Sequence, residues 1–338
     1  MDSNHKNIST YNIECSPSYL TNNLSISKDS LYFIHNSQSF PRVIVINKNS
    51  LKKEAKNNSI SVLNSSEKNE MLFIKSITLK DAEYIAIGLY HGFKLWNKEG
   101  NRLLFQISNP TINKTKIYAF TCCSEFLLNS EKINDHYPDS ILSADNYGQL
   151  YIIYGTKSNW KNSKVFATKN AESILSIGAN IDINIFGITL DNGDVLLLKS
   201  EKGNCSLIKK FEGDKQNISV NSVIFSKKNK SEFFLGCGFI NGEIRIYSLK
   251  DYNLKFSINS NLRSVGPMII KSNNEIITGS DDGQINIWKY DDNKDKIVLK
   301  NNFLFEDKMI VGLAYDKDNN NLYFCCYDFP EIDSISDI

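Results

Sequence analysis

The sequence predicts an all-β protein built from repeated sheets, and three features of the chain lead to that prediction. Val, Ile, Tyr, Phe and Thr recur in short alternating runs separated by Gly, Asn and Asp, which is the pattern of strands joined by tight turns. A helical period is nearly absent. A pattern of strand, turn and strand also recurs several times along the chain, and such internal repetition is typical of repeat architectures.

The repeated arrangement is an apolar strand, a turn that ends on Gly, and a second strand that is apolar at alternate positions. Its copies are IGLYHGFKLW (Ile87 to Trp96), SADNYGQLYII (Ser143 to Ile153), TLDNGDVLLL (Thr189 to Leu198), CGFINGEIRIY (Cys237 to Tyr247) and GSDDGQINIW (Gly279 to Trp288). A repeat of about 45 residues with four strands has the length of a β-propeller blade. Each turn then joins the second and third strands of a blade.

The turn glycines are spaced as blades require and follow residues that suit tight turns. They are Gly92, Gly148, Gly193, Gly242 and Gly283, which lie 41 to 56 residues apart. Asn-Gly or Asp-Gly pairs occupy three of these turns, and both residue types tolerate the positive φ that turns between twisted strands need.

The two ends of the chain add strands that complete a ring. Leu31 to Lys48 contains a strand pair of a first blade, and Leu322 to Ile335 contains one of a last blade, so that seven blades result. The last blade lacks an outer strand, and we expect residues 8–14 to supply it, because a closed ring leaves no unpaired edge. The prediction is one domain, 1–338, with blades at roughly 17–65, 70–108, 116–169, 172–212, 217–259, 263–301 and 307–338.

Composition argues against several classes of partner. Lys and Arg number 39 and Asp and Glu 38, so the net charge of +1 provides no field that would hold nucleic acid or an anionic membrane. The arginines are few and scattered, at Arg42, Arg102, Arg245 and Arg263. No run approaches the roughly 20 apolar residues of a membrane span. We therefore expect a soluble, cytoplasmic protein that neither binds nucleic acid nor inserts into a membrane.

Chemistry-bearing motifs are missing from the sequence. H-E-x-x-H, G-x-S-x-G and G-x-x-x-x-G-K-[ST] do not occur, so zinc hydrolysis, a nucleophile elbow and a phosphate-binding loop have no support. The seven cysteines lack C-x-x-C spacing, which favours buried free thiols over disulfides or a metal site. We predict no catalytic residue, no cofactor and no metal, and we interpret Asp281 and Asp282 as a structural turn.

The GSDDGQINIW blade resembles a repeat of the WD-repeat family. Asp282 lies where that family has its turn aspartate, and Trp288 lies where it has its third-strand tryptophan. The resemblance implies that Thr278 or Ser280 joins these two residues in a hydrogen-bonded stack that makes the blade rigid. The family's stack also uses a His from the preceding loop, and Asn261 stands at that place here.

Other blades depart from the family pattern. Leu190 and Phe239 replace the serine, so we expect those blades to be held by packing. Asn- and Lys-rich insertions at 48–70 and 129–138 also depart from it. The resemblance nevertheless covers nearly the whole chain, and it implies a non-enzymatic propeller, with self-association left open.

The predicted function is protein recognition on one face of the ring. The turns between second and third strands gather there, and they carry large side chains where small polar ones are usual: Tyr90, His91, Tyr147, Phe239, Ile240, Tyr327 and Phe329. We predict that these residues bind partners, although some could instead fold into the channel or under neighbouring loops. An adaptor subunit of a larger enzyme complex, such as a ubiquitin ligase or a methyltransferase, is the alternative, and a hydrolytic propeller is a third reading.

Overall fold

The computed structural model describes residues 8–37, 41–51, 58–60, 70–79, 82–108, 119–127, 139–156, 159–180, 182–201, 204–261 and 263–338. They contain 28 β-strands and one short 3-10 helix, Lys48–Ser50. The strands form seven antiparallel sheets of four strands each. The first strands of successive sheets contact one another, and the first strand of the last sheet contacts that of the first, so the sheets form a ring.

Each sheet is one blade, and its strands run outward from the centre in chain order except in the last blade. The first strand of the chain is β1 (Ile8–Asn12), and the first three blades are β2 (Ser25–Ile26), β3 (Ser30–His35), β4 (Arg42–Asn47), β5 (Asn58–Ile60); β6 (Met71–Leu79), β7 (Ala82–Leu89), β8 (Gly92–Asn97), β9 (Leu103–Ser108); and β10 (Phe120–Leu127), β11 (Asp139–Asp145), β12 (Gln149–Thr156), β13 (Asn159–Ala167).

The fourth to sixth blades are β14 (Ile174–Ala179), β15 (Ile185–Leu190), β16 (Val195–Glu201), β17 (Asn204–Phe211); β18 (Ser219–Ser226), β19 (Phe233–Phe239), β20 (Glu243–Ser248), β21 (Leu254–Asn259); and β22 (Val265–Ser272), β23 (Glu275–Ser280), β24 (Gln284–Asp291), β25 (Lys296–Leu304). The seventh blade has β26 (Ile310–Asp316), β27 (Asn321–Cys326) and β28 (Glu331–Ser336), and β1 is its outermost strand. The predicted seven-bladed all-β propeller is confirmed.

Ring closure joins the two ends of the described chain, as the sequence predicts. Strand β1 pairs antiparallel with β28, from Ile8 opposite Ile335 to Asn12 opposite Glu331. A buried carboxylate adds to this pairing, because Thr10 Oγ1 donates to Asp333 Oδ1 at 2.5 Å and Lys308 Nζ lies 3.0 Å from Asp333 Oδ2. The outer strand of the last blade is thus tied by a ladder and by one charge-assisted hydrogen bond.

The core is divided among the seven junctions between neighbouring blades. Seven clusters of buried apolar side chains are present in the described residues, and each one combines residues of two adjacent blades. Strand β16 shows the cause: Leu196 and Leu198 pack toward blade 3, whereas Val195 and Leu197 pack toward blade 5. Because successive side chains in a strand point to opposite faces, a strand buried on both faces is a continuous apolar run.

The turns between second and third strands use glycine for its backbone freedom. Gly148, Gly193, Gly242 and Gly283 have φ between +70° and +89°, which the Asn-Gly and Asp-Gly pairs predict for the last three. Blade 2 differs, because its turn has only two residues between paired Leu89 and Gly92, and Gly92 is the first residue of β8.

We expect Gly283→Ala to lower the free energy of unfolding by about 1–3 kcal/mol, the cost of holding a non-glycine residue in a left-handed conformation. A Cβ at this position would also lie 2.1 Å from the carbonyl oxygen of Phe305. Gly266→Ala is the matched control, since the nearest atom to its Cβ would be 3.9 Å away. Chemical denaturation of both variants tests this, and equal stabilities would contradict it.

We expect Thr10→Val to lower the free energy of unfolding by about 1.5–3 kcal/mol, because it removes a hydrogen bond to a buried carboxylate. Thr10→Ser keeps the hydroxyl group and should stay near the wild-type protein. Thermal and denaturant unfolding of the two variants compares them directly. Loss of the same stability in both would show that the hydroxyl group of Thr10 does not contribute to closure.

Candidate interaction surface

At one end of the ring lie the turns between the second and third strands of the blades and the segments that lead into each first strand. The strands of a blade are antiparallel, so the first and third strands begin on the side of the ring where the second and fourth strands finish. In blade 6, for example, Val265 at the start of β22 is opposite Ser280 at the end of β23, and Gln284 at the start of β24 is opposite Leu304 at the end of β25. We call this end the turn face. Its described residues are 13–24, 36–37, 41, 70, 90–91, 119, 146–148, 168–173, 191–194, 212–218, 240–242, 260–261, 263–264, 281–283, 305–309 and 327–330.

Six blades place one residue of the turn face in the same backbone environment. The residue after the second strand donates its N–H to the carbonyl of the residue before the first strand, at 3.0–3.1 Å in every case. The six are Tyr90, Asn146, Asp191, Ile240, Asp281 and Tyr327. The same position therefore repeats from blade to blade on the turn face, although the six residues are far apart in the sequence.

Three of these six side chains are large, apolar and exposed. Tyr90, Ile240 and Tyr327 are 39%, 37% and 43% exposed, and all three belong to the set that the sequence predicts. His91 and Tyr147 are partly exposed in their turns, and the His91 ring lies edge-on to Tyr90 with centroids 5.4 Å apart.

Phe329 is the third predicted residue that is only partly exposed. Its ring lies 5.3 Å from Lys308 Nζ, so a cation of the chain itself already covers one side of the ring.

Phe239 is not on the surface, and this corrects its place in the predicted set. Its side chain is fully buried among blades 4 and 5, and the guanidinium of Arg245, held by Glu243 at 2.8 and 2.9 Å, covers the ring at 4.4 Å. Phe239 is the last residue of β19 and occupies the position that Ser280 has in blade 6. Phe239 still belongs to β19, whose side chains are buried on both faces of the blade, whereas Ile240 follows the strand and lies in the exposed turn.

Tyr19 is an exposed aromatic residue that the sequence prediction missed. It is 56% exposed, its ring lies edge-on to Tyr327 with centroids 5.7 Å apart, and its hydroxyl group donates to Asp281 Oδ2 at 3.2 Å. Burial raises the pKa of Asp281 above its ordinary value. We call Tyr19, Asp281 and Tyr327 the Tyr19 patch, which joins the entry to blade 1 with the turns of blades 6 and 7.

Side-chain hydrogen bonds hold the segment that carries Tyr19 in place. Asn23 is buried, and its amide group both donates to the carbonyl of Ile34 and accepts from the N–H of Ile34 at 2.8 Å. Asn22 Oδ1 accepts from the N–H of Leu313 at 3.0 Å. A residue on a loop fixed in this way loses little conformational freedom when it binds a partner.

The central channel has a volume of about 460 Å³ and is lined by first-strand residues of all seven blades. Many of its polar groups bridge neighbouring first strands: the Ser176 and Ser222 hydroxyl oxygens are 2.8 Å apart, and Lys75 Nζ donates to the carbonyl of Cys123 at 3.3 Å. Burial raises the pKa of Glu125, which accepts from the N–H of Thr78. These contacts stabilise the ring.

The residues of the predicted blade 6 stack lie together as two pairs. Trp288 Nε1 donates to Thr278 Oγ1 at 3.0 Å, and Ser280 Oγ donates to Asp282 Oδ1. Asn261 Nδ2 donates to Ser280 Oγ at 2.8 Å and lies 3.3 Å from Asp282 Oδ1. Asn261 thus supplies the donor that a histidine would supply from the preceding loop.

Blade 3 has a polar turn of a different kind. Asp145 occupies the position of Ser280 and is fully buried. Its carboxylate accepts from the N–H groups of Tyr147 and Gln149 at 2.9 Å and from the hydroxyl group of Tyr151 at 3.2 Å. These hydrogen bonds favour the ionised carboxylate, but burial has the larger effect and raises the pKa of Asp145. The same hydrogen bonds hold the turn in place.

Blade 2 keeps the tryptophan but not its acceptor. Trp96 pairs with Ile85 as Trp288 pairs with Ile276, so Ile87 stands where blade 6 has Thr278. Trp96 Nε1 is buried without a hydrogen-bond partner in the described part of the chain. Packing therefore replaces the hydrogen bond in this blade.

The seven cysteines are free in the described chain, and four of them are buried. Burial raises the pKa of Cys123 and of Cys237 to about 12. Among the described residues, no three His, Cys, Asp or Glu side chains are grouped so that they could hold a metal ion. None of the described elements is a helix of the length and apolar character that spanning a membrane requires.

Solved structures share this fold at low sequence identity. One is a chain of the mitotic checkpoint complex, with a TM-score of 0.70 and 11% identity over 97% of this chain and 90% of that chain. Another is Raptor from Chaetomium thermophilum, with a TM-score of 0.69 and 12% identity over 97% of this chain but 28% of Raptor. No family profile matches the sequence, and no curated protein matches it.

We expect Trp288→Phe to lower the free energy of unfolding by about 1–3 kcal/mol more than Trp96→Phe does. The first change leaves the buried Thr278 hydroxyl group without its donor, whereas the second removes a buried N–H that already lacks an acceptor. Both changes remove a similar volume from a blade, so each is the control for the other. Equal destabilisation in denaturant titrations would contradict this account.

Proposed function

We propose that this chain is a non-enzymatic protein-interaction platform that binds partners on its turn face, with the Tyr19 patch as the centre of the surface. The observation that carries the proposal is that Tyr19, Tyr90, Ile240 and Tyr327 expose large apolar side chains on one face. Aromatic side chains that are exposed together, with polar groups around them, are the usual centre of a protein interface.

The order of this surface supports the proposal. Tyr90, Ile240 and Tyr327 are fixed by equivalent backbone hydrogen bonds, and Tyr19 is held by Tyr327 and Asp281. Rigid aromatic anchors bind at a low entropic cost. The similar chain from the mitotic checkpoint complex belongs to a protein assembly, which agrees with a role in protein association.

We also propose that the chain belongs to the WD-repeat family, forms one domain over 1–338 and is cytoplasmic. The resemblance in sequence supports the family, closure of the ring supports the single domain, and composition supports the location. Segments at Ser18 to Ile26, His91 to Gly100, Gly236 to Tyr290 and Cys326 to Ile332 resemble WD repeat-containing protein 54, and this likeness leaves open whether the chain self-associates.

The double variant Tyr19→Ala with Tyr327→Ala tests the proposed face. We expect it to keep the fold, because both side chains are exposed, and to lose partners in quantitative affinity capture from cells. Leu254→Ala with Leu299→Ala is the matched control: both leucines are 50% exposed, but they lie on the outer strands β21 and β25. Partners lost by the control and retained by the tyrosine variant would show that the turn face is the wrong surface.

A further inference from the structure

Charge is distributed unevenly between the two ends of the ring. The turns between second and third strands contribute five carboxylates to the turn face, Asp191, Asp194, Asp281, Asp282 and Asp328. The connections into blades 1, 2 and 4 add Glu14, Glu70 and Glu172. Those into blades 5 and 7 add Glu212, Asp214, Glu306 and Asp307.

The described turn face has these twelve carboxylates but only four Lys or Arg residues, which are Lys169, Lys215, Arg263 and Lys308. Lys308 is already paired, because its Nζ lies 3.0 Å from Asp333 and 3.3 Å from Glu331, which are strand residues outside the turn face. Two of the carboxylates are paired as well, because Lys210 of β17 lies 2.9 Å from Asp194 and from Glu212. The described connections of the turn face still carry an excess of carboxylates, although the whole protein has a net charge of only +1.

The opposite end of the ring, which we call the far face, is balanced. It carries ten Lys and Arg and nine Asp and Glu in the described connections 27–29, 48–51, 98–102, 180, 182–184, 227–232, 249–253, 273–274, 292–295, 317–320 and 337–338. The negative charge is thus a property of the face that also exposes the tyrosines, and not of loops in general.

The Tyr19 patch combines features that suit a cationic side chain. The Tyr19 and Tyr327 rings meet edge to face, and the carboxylate of Asp281 lies at 3.2 Å from the Tyr19 hydroxyl group. Tyrosine faces attract Lys and Arg through their π electrons. Surrounding carboxylates increase the rate of encounter with a positive segment and disfavour acidic ones.

We infer that the turn face binds a basic segment of its protein partner, with a Lys or Arg side chain at the Tyr19 patch. This inference rests on the proposed function and adds the chemistry of the occupant. The segment supplies positive charge to a negative ring, and its aliphatic stems cover the exposed Tyr and Ile side chains.

Selection of a random peptide library on the purified, full-length protein tests the inference. We expect the selected peptides to be rich in Lys and Arg and poor in Asp and Glu relative to the library. Their binding should weaken at least roughly tenfold when salt rises from about 0.05 M to about 0.5 M, because exposed charges are screened.

Charge variants locate the binding site. Asp191→Asn, Asp281→Asn and Asp328→Asn combined should weaken binding of a selected peptide roughly tenfold, since they remove three negative charges from the turn face. Asparagine retains a hydrogen-bond acceptor and tolerates the positive φ of Asp328. The matched control, Asp29→Asn, Asp318→Asn and Asp337→Asn, removes the same charge from the far face and should leave the affinity unchanged.

The outcomes separate this inference from the proposed function. Selected peptides that are neutral or acidic, or that bind both triple variants equally, overturn the basic occupant. If binding of such peptides is still lost in the Tyr19→Ala, Tyr327→Ala variant, the proposed docking on the turn face is retained and only the inferred preference for basic segments is wrong. Failure to select any peptide also counts against the inference.

Discussion

Closure of the ring is the constraint on which the rest of the structure depends. No blade has a core of its own, because each apolar cluster is built from two neighbours. A missing junction would expose one face of two blades at once. The last junction is made by β26, β27 and β28 against blade 1, and β1 adds Tyr11 to the cluster while pairing with the edge of β28. Closure therefore completes the seventh cluster and leaves β28 without an unpaired edge. The buried ion pair of Lys48 with Asp316, at 2.7 Å, joins the same two blades.

The candidate surface follows from the same closure. Tyr19 comes shortly after β1 in the chain, and Tyr327 comes shortly before β28. The ladder that seals the ring therefore also brings these two rings to 5.7 Å from each other. A surface assembled from opposite ends of the chain exists only in the folded ring, which explains why the Tyr19 patch has no counterpart in any single repeat.

The sequence predicts the parts of this fold that have a period. Strand alternation, the Asn-Gly and Asp-Gly turns and the unpaired first strand are local or countable, and they led to seven blades and their closure. Site residues were harder, because a difference of one position decides whether a side chain ends a buried strand or begins an exposed turn. Phe239 and Ile240 are adjacent, yet one is buried and the other exposed. Tyr19 lies in a connection without periodicity, and its proximity to Tyr327 appears only when the ring is closed.

The chemistry of each turn is related to what its blade exposes. In blades 3 and 6 the last residue of the second strand is polar, Asp145 or Ser280, and the next residue, Asn146 or Asp281, is polar as well. In blades 2, 5 and 7 that buried residue is Leu89, Phe239 or Cys326, and the next one is Tyr90, Ile240 or Tyr327. Blade 4, with Leu190 before Asp191, is the exception. Hydrogen bonds of Asp145 and of Ser280 with Asp282 hold the turns of blades 3 and 6. Apolar packing of Leu89, Phe239 and Cys326 holds the turns of blades 2, 5 and 7. Blades 2, 5 and 7 therefore have positions on the turn face at which large apolar side chains cost the fold little.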